Sequence, residues 1–328
     1  MRYPTTRLRR LRYNKHLRGL FKDVYLSSKD LIQPIFVCEG QGVKKPIEGL
    51  PGQFQLSVDN VINYCHDLKE KKINSIILFG VINIKDNDGH IACSENSIIP
   101  NCIRQIKKHV NDIFVIADLC NCEYTQHGHC GTVVDGDVDN DQTLITLSKQ
   151  ALVFARAGVD AIAPSDMMDG RVGFIRKLLD QEGYYKIPIF PYSVKFASSF
   201  YGPFRQAANV TLDSGDRKSY QMNYQNSYNF YNEIKLDINE GADAVIIKPA
   251  LCYLDIISAV KSDFHIPVIA YNVSGEYSML QAASEMKYLN KNECVIEMLI
   301  AMKRAGANSI ITYHAFEIAE FLIDYNNV

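Results

Sequence analysis

The chain has 328 residues, 47% hydrophobic and 22% charged, with a formal net charge of -2. This predicts a folded globular protein of one large domain or two ordinary ones, with no global electrostatic reason to bind nucleic acid or an anionic membrane. No apolar run approaches the ~18 residues of a membrane span and no apolar signal core opens the chain, so nine cysteines, an odd number, predict reduced thiols and a cytoplasmic setting.

Residues 1–30 stand apart as an N-terminal arm. Arg2, Arg7, Arg9, Arg10, Arg12, Lys15 and Arg18 make it strongly basic. Pro4 and the lack of apolar periodicity argue against a well-formed helix at its start. A nucleic-acid or membrane arm and an organelle transit segment are open readings. The favoured one is an extended arm packed on another subunit or on the chain's own body.

From residue 31 short apolar runs alternate with segments of helical period. The runs are 31–37, 75–80, 113–118, 160–165, 188–194, 243–248, 267–272 and 309–313. Between them, Val58, Val61, Ile62, Cys65 and Leu68 share one helix face within 58–72, and Leu144, Leu147, Ala151 and Phe154 share another within 143–157. Gly158, Gly183, Gly241 and Gly306 each sit shortly before the next run, where a left-handed helix stop belongs. Eight continuous apolar runs separated by helices predict an α/β fold, a parallel (β/α)8 TIM barrel over residues 31–328. A doubly wound sheet would carry a Gly-rich turn after the first strand, and residues 38–43, CEGQGV, are not one. The long segment 196–222 predicts a lid or binding loop.

In such a barrel the chemistry sits at the C-terminal strand ends. Strand three ends at Asp118 and opens into Cys120, Cys122 and Cys130, with His127 and His129 between them; strand four ends at Ser165 and Asp166. Strands five and six lead to Lys195 and Lys248, strand seven to Tyr271 and Ser274, strand eight to Tyr313. A lysine at a buried strand end is costly, and desolvation with a second cation nearby lowers its pKa until the neutral amine can attack a carbonyl. Either lysine alone reads equally well as a strand-end residue reaching for solvent; two on adjacent strands favour the Schiff-base reading. Arg205, Arg217, Lys218 and Gln221 on the long segment suit a substrate carboxylate or form a solvated basic loop. The thiol spacing fits no zinc finger or ribbon. Three ligands with an open position would make a catalytic metal site, and the two histidines stay open as ligands at this point.

The stretches DLCNCEYTQHGHCG, APSDMMDGRV, PYSVKFASSFYGPFR, GDRKSYQM, EGADAVIIKPALCYLDII and VSGEY, in this order from about Arg7 to the C-terminus, closely resemble the porphobilinogen synthase (5-aminolevulinate dehydratase) family. The resemblance implies a TIM barrel whose arm wraps a neighbouring subunit, usually in a homo-octamer. It implies condensation of two 5-aminolevulinate molecules into porphobilinogen with loss of two waters, an early step of haem and other tetrapyrrole biosynthesis. By that matching Lys248 forms the imine with the propionate-side substrate and Lys195 with the acetate-side one. Arg205, Arg217 and Gln221 bind the acetate-side carboxylate, Ser274 and Tyr313 the propionate-side one, and Asp118 and Ser165 assist proton transfer near the second amine. Cys120, Cys122 and Cys130 mark the zinc-dependent type, with His127 and His129 outside the ligand set. Glu233, with Asp237 one turn on, stands where some relatives bind an allosteric magnesium; the same pair reads as a solvated acidic pair. His314 follows Tyr313 where an aromatic ring is usual. A single-lysine Schiff-base aldolase on the same barrel is the alternative enzyme, and a nucleic-acid module using the arm and thiol loop is the alternative of another class.

Overall fold

The computed structural model describes residues 1–213 and 215–327. Eight strands form the barrel: β1 (Leu31–Cys38), β2 (Ser75–Val81), β3 (Phe114–Leu119), β4 (Ala161–Pro164), β5 (Val194–Lys195), β6 (Val245–Lys248), β7 (Val268–Asn272) and β8 (Ser309–Thr312). All their mutual pairings are parallel, in the order β4-β3-β2-β1-β8-β7-β6-β5. Each of the eight falls inside or overlaps one apolar run, because a strand covered on both faces needs apolar side chains at every position.

The ring closes between β4 and the stretch leading into β5. Ile162 pairs with Ile189, and Phe190 and Tyr192 donate to the carbonyls of Ile162 and Pro164 at 2.8 and 2.9 Å. The run 188–194 was expected as one strand. Pro188 and Pro191 lack the N–H a ladder requires, so only its end, with Lys195, pairs as a regular strand.

Period-two alternation divides each strand between two cores. Ile35, Leu78, Val115, Val245, Val268 and Ile310 face the helices. Ile32, Ile77, Ile116, Ile246, Ile269 and Ile311 fill the barrel. Two positions further on from the last four stand Asp118, Lys248, Tyr271 and Tyr313, so alternation itself points them into the barrel mouth.

The helices between strands agree with the periodicity. Val58–Glu70 buries Val61, Cys65 and Leu68, and Asn140–Ala157 buries Leu144, Leu147, Ala151 and Phe154. Gly158, Gly183, Gly241 and Gly306 all have positive φ. Two helices, Ser274–Glu285 and Lys291–Ala305, separate β7 from β8. The arm is not wholly extended. Asn14 accepts a hydrogen bond from the Leu17 N–H and caps a short helix, Lys15–Leu20. Before Leu26 the arm buries no residue, and Tyr3, Leu8, Leu11 and Tyr13 are exposed.

Arg171 fastens the closing seam. It is 2% exposed and donates to Asp237 at 3.2 Å, to the Met168 carbonyl at 2.9 Å and to the Tyr192 carbonyl at 3.3 Å. Asp166 lies 4.0 Å from its Nε. Asp237 is therefore a buried ion-pair partner, which corrects its reading as half of a solvated acidic pair. Removing one member of a buried pair leaves a charge uncompensated, at about 3–5 kcal/mol. Arg171→Ala should lower unfolding stability by about that much in a urea titration; a loss below ~1 kcal/mol would show that the seam does not depend on it.

Candidate active site

Lys195 and Lys248 are partners in the β5–β6 register, so two amines rise side by side from neighbouring strands. Both are buried, 4% and 5% exposed. Lys195 Nζ donates to the Ser165 carbonyl. Lys248 Nζ lies 4.5 Å from the ring centre of Tyr271, 4.8 Å from Phe204, 5.0 Å from Tyr201 and 5.2 Å from Tyr192. Such rings favour the charged form by roughly 0.5–2 kcal/mol each. Burial, with the Lys195 cation beside it, outweighs them and brings Lys248 down to about 7. One lysine of the pair is thus an available neutral amine near neutral pH.

Asp118, from the end of β3, accepts a hydrogen bond from Ser165 Oγ at 2.9 Å, while its other oxygen is buried without a partner. Burial pushes its carboxyl up to about 6 although both lysine charges oppose the shift. A carboxyl that titrates close to neutral pH, with one free oxygen, is suited to carrying protons.

The loop after β3 is held down by Glu123, whose carboxylate accepts from the Gly80 N–H at 2.6 Å. A Cβ at Gly80 would stand 2.8 Å from Tyr124 Oη, so the loop's close approach to β2 requires glycine there. Cys120, Cys122 and Cys130 are buried with their sulfurs all within 4.8 Å of one another. Thiols donated by Cys120 and Cys122 hold Cys130 well below its usual value, while burial keeps Cys120 protonated. Desolvation lowers the part-buried Arg217, and charge on Cys130 outweighs it and raises the guanidinium above its usual value. Three convergent thiols beside a fixed cation form a donor set that fits a thiophilic ion such as zinc. His127 and His129 point elsewhere: His127 Nε2 meets the Asn87 carbonyl at 2.9 Å and His129 Nδ1 meets Tyr220 Oη at 3.1 Å.

The segment 196–222 covers the mouth and carries the helix Gly202–Ala207. Ser274 grips it, accepting from Phe204 N at 3.1 Å and donating to the Phe200 carbonyl at 3.1 Å. Gln55 donates to the Ala207 carbonyl at 2.7 Å. Arg205 is exposed at the edge of the mouth, its pKa lowered by desolvation and then by Arg217. Arg217 Nε and Gln221 Nε2 are buried without partners, a pair of donors suited to an anion. Lys218 does not join them; it is exposed and pairs with Asp216 at 3.2 Å. The enclosed space is about 20 Å³, bounded by both lysines, Asp118, Ser165, Cys122, Arg205 and Arg217 with Phe79, Tyr201 and Phe204. Pockets for small ligands hold about 300–1,000 Å³, so the lid has to move for a substrate to enter.

Tyr313 Oη bonds the hydroxyl of Tyr271, whose ring faces Lys248, at 3.1 Å, and Ser274 serves the lid; neither lines the enclosed space. Glu233 is remote, on the helix Asn229–Glu240, its carboxyl raised by burial. Reading the sequence missed the aromatic box of Tyr192, Tyr201 and Phe204, although all three lie within the PYSVKFASSFYGPFR stretch around Lys195.

The family model for Delta-aminolevulinic acid dehydratase matches residues 5–321. The delta-aminolevulinic acid dehydratase of Methanothermus sociabilis is 50% identical over 320 residues, 98% of this chain and 99% of that protein. The Bacillus subtilis protein of the same name is 47% identical over 318 residues, 97% and 98% of the two chains. The solved structure of Toxoplasma gondii delta-aminolevulinic acid dehydratase (porphobilinogen synthase), in complex with the reaction product porphobilinogen, matches with a TM-score of 0.95 at 38% identity, covering 97% of this chain and 92% of that one.

The lowered pKa makes a prediction about reactivity. An amine at about 7 is mostly neutral above that pH, so borohydride trapping of levulinate on Lys248 should rise through pH 7 and level off by about pH 8. A yield still climbing toward pH 10 would show an unshifted lysine.

Proposed function

The chain belongs to the delta-aminolevulinic acid dehydratase family, and on that premise we propose how its site carries out the family's reaction. It is a porphobilinogen synthase, a hydro-lyase that condenses two 5-aminolevulinate molecules. The observation that carries the mechanism is the in-register pair of buried lysines. The aldolase alternative needs one lysine and no thiol loop, and the family relationship does not support it.

Each substrate brings a ketone, an amine and a carboxylate. The neutral Lys248 amine attacks the propionate-side ketone; water leaves and an imine remains. Lys195 holds the acetate-side ketone in the same way. An imine acidifies the adjacent carbon, and Asp118, with Ser165 on one oxygen, takes that proton through the other. The carbon so formed attacks the partner's carbonyl-derived carbon, and the amine of one substrate attacks the other's. The new C–C and C–N bonds displace the lysines, and two waters are lost over the whole reaction. Arg205, Arg217 and Gln221 hold the acetate-side carboxylate. Ser274 and Tyr313 hold the propionate-side one once the lid has released Ser274.

Cys120, Cys122 and Cys130 are the residues to hold zinc, and the three-thiol set supports that reading. Bound there, zinc supplies a Lewis acid able to polarise a substrate carbonyl or hold an amine. Glu233 is our candidate for an allosteric magnesium; Asp237 is committed to Arg171 and is not its companion. The exposed tyrosines and leucines of the arm, residues 1–30, support its packing on a neighbouring subunit in a homo-octamer. All nine cysteines are free, which suits a reducing cytoplasm. Among the described residues no helix is long and apolar enough to cross a membrane.

Purified protein should form porphobilinogen from 5-aminolevulinate, lose that activity on chelation and regain it with zinc. Lys248→Ala should lower turnover at least ~10³-fold. Undiminished turnover in that variant would refute the assignment of Lys248.

A further inference from the structure

The stretch HGHCG, residues 127–131, has one assigned residue, Cys130, yet it is where the second half of the lid lands. Arg217 Nη2 donates to the Gly128 carbonyl at 2.7 Å. Asp213 N donates to the His127 carbonyl at 3.4 Å. Tyr220 Oη accepts from Cys130 N at 3.4 Å and lies 3.1 Å from His129 Nδ1. Tyr220 Oη thus accepts from the thiol-ligand backbone and shares a hydrogen bond with His129 Nδ1 whose direction follows the imidazole tautomer. The two rings meet edge to face at 6.1 Å. The loop is braced from behind, since His127 Nδ1 accepts from His129 N at 3.0 Å and His127 Nε2 meets the Asn87 carbonyl.

Gly128 gives the sharpest indication. Its φ is +71, and a Cβ there would stand 2.2 Å from the Thr211 carbonyl oxygen. The lid main chain occupies space that any other residue would fill. On the lid side, Gln221 N donates to the Arg217 carbonyl at 2.8 Å, so Arg217, Tyr220 and Gln221 belong to one turn. That single turn carries two proposed carboxylate ligands and the tyrosine that touches the backbone of a thiol ligand.

We propose that Tyr220, seated on His129 and the Cys130 N–H beside the Gly128 contact with Thr211 and Arg217, is a positioning residue that joins the lid to the thiol loop, so that the acetate-side carboxylate site and the metal site assemble as one unit. The other half of the lid is held separately, by Ser274 and Gln55. The consequence is reciprocal. A ligand that closes the lid tightens binding of the metal, and the metal tightens binding of that ligand, by the same factor in affinity, with slower loss of the metal as its kinetic sign. This inference rests on the zinc and carboxylate assignments above.

The test follows zinc leaving the intact, zinc-loaded protein for a chromophoric chelator, with and without levulinate at a concentration that fills the acetate-side site as well as that of Lys248; levulinate keeps the substrate's ketone and carboxylate but lacks its amine. Levulinate should slow release from the wild type. Tyr220→Phe keeps the ring and loses the hydroxyl. It should speed release and shrink the levulinate protection by about 3- to 10-fold each, the range of one lost hydrogen bond, with KM rising more than kcat falls. Gly128→Ala should go further in the same direction. Tyr220→Phe with wild-type release and wild-type protection would overturn the inference. A wild type that holds no zinc, or a Cys130→Ser variant that holds it as tightly, would instead overturn the metal assignment beneath it.

Discussion

Two lysines are buried at one register on adjacent strands of the sheet, and much of the molecule is arranged to tolerate that. Moving Lys248 from its ordinary 10.5 to about 7 corresponds to roughly 5 kcal/mol of disfavoured charge. That is a large fraction of the 5–15 kcal/mol that separates a typical folded domain from its unfolded chain. It is sustained by the layer beneath, where Ile32, Ile77, Ile116, Ile246, Ile269 and Ile311 fill the barrel, each fully buried side chain contributing about 1.5–3 kcal/mol. The strained chemistry sits on top of an apolar plug that has no chemical task.

The same burial sets the character of the surrounding groups. Water excluded by the lid keeps Lys248 partly neutral and brings Asp118 into the titration range of a proton carrier. It also leaves Arg217 Nε and Gln221 Nε2 without partners, which in a closed site is a standing attraction for an anion. Aromatic rings pack around Lys248, and Asp118 shares its space and favours its charged form without a direct ion pair among the described residues. The thiol loop, the lid and the lysine strands meet across a space of about 20 Å³, smaller than the pockets that hold small ligands.

Much of this was legible before any coordinates. Parallel strands buried on both faces have to be apolar throughout, and that made eight of them visible. The barrel rule then placed Asp118, Ser165, Lys195, Lys248, Ser274 and Tyr313 at one mouth. Where the reading differed from the structure, a local feature intervened that pattern does not weigh. Prolines 188 and 191 shorten β5, Asn14 caps a helix inside a basic arm, and Lys218 turns to Asp216 rather than to the pocket. Asp237 looked like a solvated helix residue because its partner, Arg171, lies far away in the chain.

The sequence by itself determined the architecture, the strand ends at which chemistry occurs and the residue types available there, because periodicity and chain order are local properties. Only the tertiary structure showed three thiols converging while Asn87 and Tyr220 engage the two histidines of the same loop. Only it showed that Lys248 is boxed by rings from the lid and from the strand regions on either side of it. Only it brought Thr211 against Gly128. Each of these is a contact between segments distant in sequence, whose energy comes from excluding water between them, and no local pattern records which distant surface will do that.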